Sequence, residues 1–131
     1  MNEPSLAYVI LYVPDVPAAV TFYEAAFGLK RRFVHESGTY AELETGATAL
    51  AFADEAIPPF AGAFTPNRAD KPPAGAEVAL VFGDVASAYA RALAAGATPL
   101  AAPALKPWGQ TVSYVRDLNG VLVEICSAVS G

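Results

Sequence analysis

The chain has 131 residues, of which 54% are hydrophobic and 16% are charged, so it is long and apolar enough for one ordinary globular core. Its net charge of -5 at pH 7 argues against nucleic acid and anionic membranes as partners, because it leaves no basic surface for phosphates. The apolar run Leu6 to Val13 is too short to span a bilayer and follows Glu3 rather than basic residues, so we expect neither a membrane span nor a signal peptide. A cytoplasmic protein is expected, and the single Cys126 excludes an internal disulfide.

The first part of the chain predicts one βαβββ block. Leu6 to Val13 is rich in β-branched and aromatic residues, which favours a strand. Asp15 is a candidate N-cap, and apolar residues at helical spacing predict a helix that ends at a C-cap, Gly28. Three antiparallel strands are predicted next, over residues 30–36, 39–44 and 47–53.

The segment from Asp54 to Gly75 shows no periodicity. It contains five prolines that forbid regular strand pairing: Pro58, Pro59, Pro66, Pro72 and Pro73. A segment this long without secondary structure is usually a linker or a functional loop. Phe60 and Phe64 argue against a fully solvated linker, because such aromatic side chains generally fold onto the core or onto a ligand.

The remainder repeats the first block. Residues 77–82 predict a strand, Asp84 takes the place of Asp15, a helix ends at Gly96, and a short strand covers 98–102. Two more strands, 110–117 and 121–127, flank Asn119-Gly120, a pair that favours a hairpin because both residues tolerate positive φ. The predicted fold is therefore α+β: two tandem βαβββ modules, at about 5–54 and 76–128, joined by a loop at 55–75, in one domain that spans 1–131.

The internal repeat relates candidate site residues to one another. The alignment that matches Asp15 with Asp84 also matches Tyr8 with Glu77, and alignment of Gly46 on Gly120 places Leu50 opposite Glu124. Strand alternation puts the two glutamates on the sheet face away from the helices. Such a face, apolar with single polar groups at repeat-related places, is typical of a curved mixed sheet that lines a ligand cavity.

Several short motifs mark a family resemblance. They are Val13-Pro14-Asp15-Val16, Phe22-Tyr23, Phe27-Gly28-Leu29, Ala95-Gly96-Ala97 and the run from Asp117 to Glu124. Together with the tandem βαβββ blocks they resemble the vicinal oxygen chelate superfamily, the group of glyoxalases, bleomycin-resistance proteins and extradiol dioxygenases. The resemblance covers the chain except the segment 54–75. The resemblance is specific for the fold but not for the activity, because the family includes lyases, isomerases, dioxygenases, transferases and non-catalytic drug binders.

The resemblance also implies four metal-ligand positions, on the first and last strands of each module. Here they are Tyr8, Leu50, Glu77 and Glu124. A catalytic metal generally needs about three protein ligands, with imidazole and carboxylate as the usual donors. Only the two glutamates qualify, and His35 lies on the second strand, away from these positions. We therefore expect no tightly bound metal and keep Glu77 and Glu124 as weak candidate ligands, whose oxygen donors would favour magnesium or manganese over zinc.

Without a metal, the two glutamates remain candidates for proton transfer. If Glu77 and Glu124 face one apolar cavity, desolvation and mutual repulsion would raise the pKa of at least one and make it a candidate general base. Tyr8 could donate a hydrogen bond to an oxygen that develops charge. The alternative is that each glutamate pairs with an arginine, such as Arg31, Arg32 or Arg116, and only solvates this face.

An aromatic and apolar lining is predicted around these groups. Trp108, beside Gly109, is either a stacking surface at a cavity rim or a hydrophobic plug over the core of the second module. The predicted ligand-binding residues are Tyr8, Leu50, Phe52, Phe60, Phe64, Trp108 and Tyr114.

Two functional hypotheses follow. The first is a small-molecule-binding protein similar to the bleomycin-resistance branch, a homodimer that holds a small apolar or aromatic compound. The second is a lyase or isomerase resembling glyoxalase I, which acts by proton transfer at Glu77 and Glu124 with or without a divalent metal. An extradiol dioxygenase is disfavoured, because its two-histidine, one-carboxylate ligand set cannot be made from a single histidine.

Overall fold

A computed structural model describes residues 3–129, which form two helices and eight strands in the order βαβββ–βαβββ. The elements are β1 (Tyr8–Val13), α1 (Val16–Phe27), β2 (Arg31–Val34), β3 (Tyr40–Leu43), β4 (Ala49–Asp54), β5 (Glu77–Val81), α2 (Val85–Ala94), β6 (Thr98–Leu105), β7 (Thr111–Arg116) and β8 (Leu122–Cys126). The predicted α+β class and the repeated block are confirmed. Neither helix in the described part of the chain is long and apolar enough to cross a membrane.

The two helices begin at aspartate caps, as predicted. An oxygen of Asp15 accepts a hydrogen bond from the Ala18 backbone N–H at 3.0 Å, and Asp84 does the same for Ser87 at 3.0 Å. Each bond satisfies a donor that has no partner within its helix. The first helix ends at Gly28, whose φ of 71° closes the last turn in the left-handed conformation.

Each block folds into its own four-stranded mixed sheet. The strand orders are β1-β4-β3-β2 and β5-β8-β7-β6, with the first and last strands of each block parallel and the other pairs antiparallel. The helices supply the crossovers that parallel pairing requires. Tyr23 of α1 packs on Phe52 of β4 with ring centroids 5.0 Å apart, and α2 packs on β6, β7 and β8. We call the opposite face of each sheet its open face.

Backbone contacts divide the described residues into two compact units. Unit 1 holds the chain up to Glu24 together with Gly28–Pro66, and unit 2 holds Ala25–Phe27 together with the chain from Asn67 onward. The division falls inside the connecting segment, so its aromatic half belongs to unit 1 and its second half to unit 2.

Arg116 fixes the second half of the connecting segment. Its guanidinium donates to the carbonyl oxygens of Arg68 at 3.3 Å, Lys71 at 2.5 Å and Gly120 at 2.9 Å. The side chain therefore ties the segment 68–71 to the β7–β8 turn, although no secondary structure forms there.

Strand β6 is longer than predicted. It continues to Leu105 through Pro99 and Pro103, whereas the prediction stopped at Ala102. Proline is tolerated here because β6 lies at the edge of its sheet, where a missing backbone donor breaks no ladder bond. Its pairing with β7 accordingly shows two register irregularities.

Candidate functional site

The structure brings Glu77 and Glu124 together on the open face of unit 2. Glu124 on β8 pairs in register with Ala79 on β5, so Glu77 is its diagonal neighbour on the same face. Glu124 lies close enough to Glu77 to raise the pKa of that carboxyl group.

The pKa of Glu77 is raised to about 6. Its interaction with the neighbouring Glu124 carboxyl group is the main cause, and desolvation and the negative charge of Glu124 add to it. A carboxyl that titrates near neutral pH can serve as an acid or a base.

Tyr114 and Cys126 complete this cluster. Tyr114 of β7 pairs in register with Glu124 on the same face, and burial, followed by the charge of Glu124, raises the pKa of its phenol. The thiol of Cys126 donates to the Leu80 carbonyl oxygen at 3.6 Å, and burial is the first cause that raises its pKa to about 11. Cys126 is therefore a neutral thiol.

The predicted arginine pairing of this acid pair is replaced by other contacts. Arg31 binds Glu24 at 2.9 Å, and Arg32 binds Glu44 at 2.6 Å and Glu42 at 3.3 Å. Arg116 is committed to backbone carbonyls. The three arginines therefore neutralise other groups or order the backbone.

Leu50 and Phe52 do not share a face with Tyr8, and their predicted placement is wrong by one residue. The register pairs Val9 with Leu50 and Leu11 with Phe52, which turns both side chains toward α1. Phe52 is fully buried and Leu50 is 6% exposed, so both belong to the core. The cause is the alignment on glycines: Gly46 and Gly120 occupy different places in their turns, and a shift of one residue exchanges the faces of a strand.

Ala51 is the residue of unit 1 that corresponds to Glu124. It pairs in register with Ile10, as Glu124 pairs with Ala79. The acid pair of unit 2 therefore corresponds to Tyr8 and Ala51 in unit 1, which supply one phenol and no carboxylate.

The aromatic residues of the connecting segment fold onto the open face of unit 1. Phe64 stacks on Tyr12 with ring centroids 5.1 Å apart, and Phe60 meets Tyr12 edge-on at 5.8 Å. Phe60 remains 50% exposed. Tyr8 lies on the same face of β1 and is also about half exposed, at 49%.

Sequence reasoning missed Tyr40 and Glu42 on β3. They pair in register with Ala53 and Ala51, which places both on the open face of unit 1. The phenol of Tyr40 donates to a Glu42 carboxylate oxygen at 2.7 Å. Burial, followed by this bond and charge, raises the pKa of Tyr40 above its usual range, so the phenol stays protonated. The alternation of Tyr40 and Glu42 with the buried Ala41 and Leu43 was the signal that could have revealed them.

Trp108 is an exposed ring with a fixed position. It is 57% exposed, so it does not plug the core of unit 2. Its indole N–H donates to the Gln110 side chain at 2.8 Å, and the Gln110 amide donates to the Ser127 carbonyl at 2.9 Å. His35 was predicted on the second strand but lies just after β2, with its Nδ1 atom 2.7 Å from the hydroxyl of Ser37.

The donors present do not fit the metal site that the family resemblance implies. Within residues 3–129, no group of three or more His, Cys, Asp or Glu side chains is arranged so that it could hold a metal ion. Unit 2 offers the carboxylates of Glu77 and Glu124, and the matching positions of unit 1 are a phenol and a methyl group. This set falls short of the usual number of about three protein ligands.

A shallow cavity of about 280 Å³ lies elsewhere, at the start of α2. It is lined by Phe82, Gly83, Asp84, Ser87, Ala88 and Arg91. Its carboxylate, Asp84, already accepts hydrogen bonds from the backbone and the hydroxyl of Ser87. The cavity therefore reflects a capped helix and contains none of the predicted site residues.

Comparisons with known proteins agree with this architecture. A glyoxalase-related enzyme from Fulvimarina pelagi is similar in structure with a TM-score of 0.78 at 23% identity, over 95% of this chain and 88% of that one. TioX from Micromonospora sp. ML1 gives 0.73 at 25% identity, over 95% and 98% of the two chains. A glyoxalase/bleomycin resistance protein/dioxygenase family enzyme from Burkholderia phytofirmans PsJN gives 0.76 at 20% identity, over 97% and 100%.

Sequence comparison identifies the family. No curated protein matches the chain. Residues 5–125 match the family model of the Glyoxalase/Bleomycin resistance protein/Dioxygenase superfamily, which covers both βαβββ blocks. The chain therefore belongs to the Glyoxalase/Bleomycin resistance protein/Dioxygenase superfamily.

Proposed function

We propose that this protein binds a small apolar or aromatic molecule without a tightly bound metal, in the manner of the bleomycin-resistance type. The observation that carries the proposal is the placement of Glu77, Glu124 and Tyr114 together on the open face of unit 2. A few polar groups that converge among apolar neighbours are typical of ligand sites. We further propose a cytoplasmic homodimer, as the family resemblance implies.

The energetic cost of the acid pair supports a ligand-binding role. A raised pKa means that the folded protein holds the proton more tightly than the unfolded chain, so ionisation of Glu77 opposes folding. Ionisable groups with shifted pKa values cluster at functional sites. The two carboxyl groups offer oxygens that can form hydrogen bonds to a bound molecule, and Val81 and Leu122 supply apolar surface on the same face.

Proton transfer is the second candidate. The pKa of Glu77 lies at about 6, which suits a group that takes up and returns a proton near neutral pH. Glu124 would keep the pKa of Glu77 raised, and the Tyr114 phenol would stabilise a negatively charged oxygen of the substrate. This arrangement supports a lyase or isomerase that removes a proton next to a carbonyl group.

A ligand screen separates the two candidates. We expect small aromatic compounds to raise the melting temperature of protein purified without chelator, because a ligand that binds only the folded state stabilises it. Glu124→Gln should weaken that binding by about tenfold, the effect of one lost charge-assisted hydrogen bond. Glu36→Gln, at the exposed β2–β3 turn, is the matched control.

The same material tests the other parts of the proposal. Binding without chemical change of the ligand supports the binding protein, whereas turnover that Glu77→Gln and Glu124→Gln each abolish supports the proton-transfer enzyme. Stoichiometric metal in elemental analysis would contradict the metal-free proposal. A screen in which no apolar or aromatic compound stabilises the protein would contradict ligand binding itself.

A further inference from the structure

The open face of unit 1 carries a second phenol–carboxylate pair that the proposed function does not use. Tyr40 and Glu42 lie there on β3, with their polar atoms 2.7 Å apart. Unit 2 carries Tyr114 and Glu124 as register neighbours on its open face, but the strand register matches Glu42 with Tyr114 and Ala51 with Glu124. Both units therefore carry a tyrosine and a glutamate on the open face, but at positions that the strand register does not match.

The two pairs differ in their charge balance. Arg32 lies 3.3 Å from Glu42 and neutralises it, while a second carboxyl group lies against Glu124. The Tyr40 phenol gives its only proton to Glu42. Its oxygen can therefore accept a hydrogen bond but cannot donate one to a ligand.

An aromatic surface lies in the same row of the sheet. Ala53 of β4 pairs in register with Tyr12 on one side and with Tyr40 on the other, all on the open face. The strands β1 and β3 are therefore about 10 Å apart, two strand spacings. Tyr12 carries Phe64 and the half-exposed Phe60, so an apolar aromatic surface and a hydrogen-bond acceptor face the same solvent.

We propose that the open face of unit 1 is a binding subsite for an aromatic molecule that carries a hydroxyl or ammonium group. The ring packs on Phe60 and Tyr12, and the substituent donates a hydrogen bond to the Tyr40 oxygen. Glu42 accepts the hydrogen bond from the Tyr40 phenol, so the Tyr40 oxygen offers the ligand an acceptor and no donor. The inference rests on the proposed function and adds the class of ligand.

Benzyl alcohol and benzyl methyl ether test this polarity, because they share a ring and differ in the hydroxyl proton. Their dissociation constants are measured by NMR titration of the folded protein. We expect the wild-type protein to bind the alcohol five- to tenfold more tightly, on the order of one net hydrogen bond. Equal affinities for the two probes would overturn the inference and leave the proposed function intact, whereas absence of binding of both would contradict the aromatic ligand class on which both rest.

Two variants locate the effect. Tyr40→Phe should remove the preference for the alcohol, and Glu42→Ala should reduce it, because the released phenol proton can then be donated to the ether oxygen. Tyr89→Phe, on α2 of unit 2, is the control and should keep the wild-type ratio. A Tyr40→Phe protein that retains the full preference would overturn the inference.

Discussion

The pKa of Glu77 predicts how stability depends on pH. Its folded value of about 6 lies above the ordinary value of 4.5, so the native state binds more protons than the unfolded chain between these values. Stability therefore falls as pH rises through this window and stays lower above it. After allowance for solvent screening of this exposed residue, we expect a loss of about 1 kcal/mol.

Glu77→Gln removes that loss and keeps a donor for Glu124. The variant should be more stable than the wild type by up to about 1 kcal/mol near pH 8 and equally stable near pH 4, as measured by urea unfolding. Glu36→Gln should change stability at neither pH. A Glu77→Gln protein without any gain at the higher pH would show that the two carboxyl groups are not coupled in solution.

The period of two in a strand accounts for what could be predicted at single residues. It placed Glu77 and Glu124 on one face, and the strand register shows this arrangement. It could not place Leu50 on the correct face of β4. The face depends on the preceding turn, and the glycine occupies a different place in that turn in each repeat. Glu42 escaped notice because its partner Arg32 lies on another strand, and strand pairing is not visible in a single short run.

The β7–β8 turn shows how local chemistry sets an element. The buried Asp117 accepts hydrogen bonds from the backbone N–H groups of Asn119 at 2.8 Å and Val121 at 2.9 Å. Among the residues of this turn, only Gly120 has positive φ, so the expected left-handed conformation holds for the glycine and not for Asn119. The hairpin was predictable from Asn-Gly, but the role of Asp117 was not, because an aspartate there is equally typical of an exposed turn.

Gly120→Ala should destabilise the protein more than the matched Gly46→Ala. Both glycines have positive φ, 87° and 91°, so alanine is strained at either place. At Gly120 a Cβ would also lie 2.6 Å from the Arg68 carbonyl oxygen, whereas nothing lies within 4 Å at Gly46. We expect a cost of about 1 kcal/mol for Gly46→Ala and about 3 kcal/mol for Gly120→Ala in urea unfolding. Equal costs would mean that the segment near Arg68 moves away freely.

Arg116→Ala should loosen the second half of the connecting segment. The wild-type side chain binds the carbonyl oxygens of Arg68 and Lys71, and protease cleavage requires local opening of the backbone. Limited trypsin digestion should therefore cut after Arg68 several-fold faster in the variant, as followed by mass spectrometry. Arg31→Ala, which removes an exposed ion pair with Glu24, is the control and should leave that rate unchanged.

At the scale of the whole molecule, local sequence signals predicted the order of the helices and strands better than the division of the chain into two compact units. Capping aspartates and apolar spacing repeat in both halves, so the two βαβββ blocks were visible in the sequence. The boundary between Pro66 and Asn67 was not, because it depends on where Phe64 packs and on what Arg116 binds. These are contacts between residues far apart in sequence, for which a single chain carries no periodic signal.

Exposed apolar side chains on an edge strand support the predicted homodimer. β6 is an edge of its sheet, and Leu100 and Leu105 on it are 52% and 74% exposed. Unpaired edges with apolar side chains favour association with another chain. Light scattering after size exclusion at micromolar concentration should therefore give about twice the chain mass of 13.6 kDa.

Leu105→Lys should shift this equilibrium toward the monomer, because a lysine on an edge strand opposes pairing with a second chain. Ile57→Lys is the matched control: Ile57 is 64% exposed but lies in the connecting segment, outside the strands. The control should keep the wild-type mass at the same concentration. A wild-type protein that runs as a monomer at micromolar concentration would contradict the homodimer, and a Leu105→Lys protein that remains dimeric would show that β6 lies outside the interface.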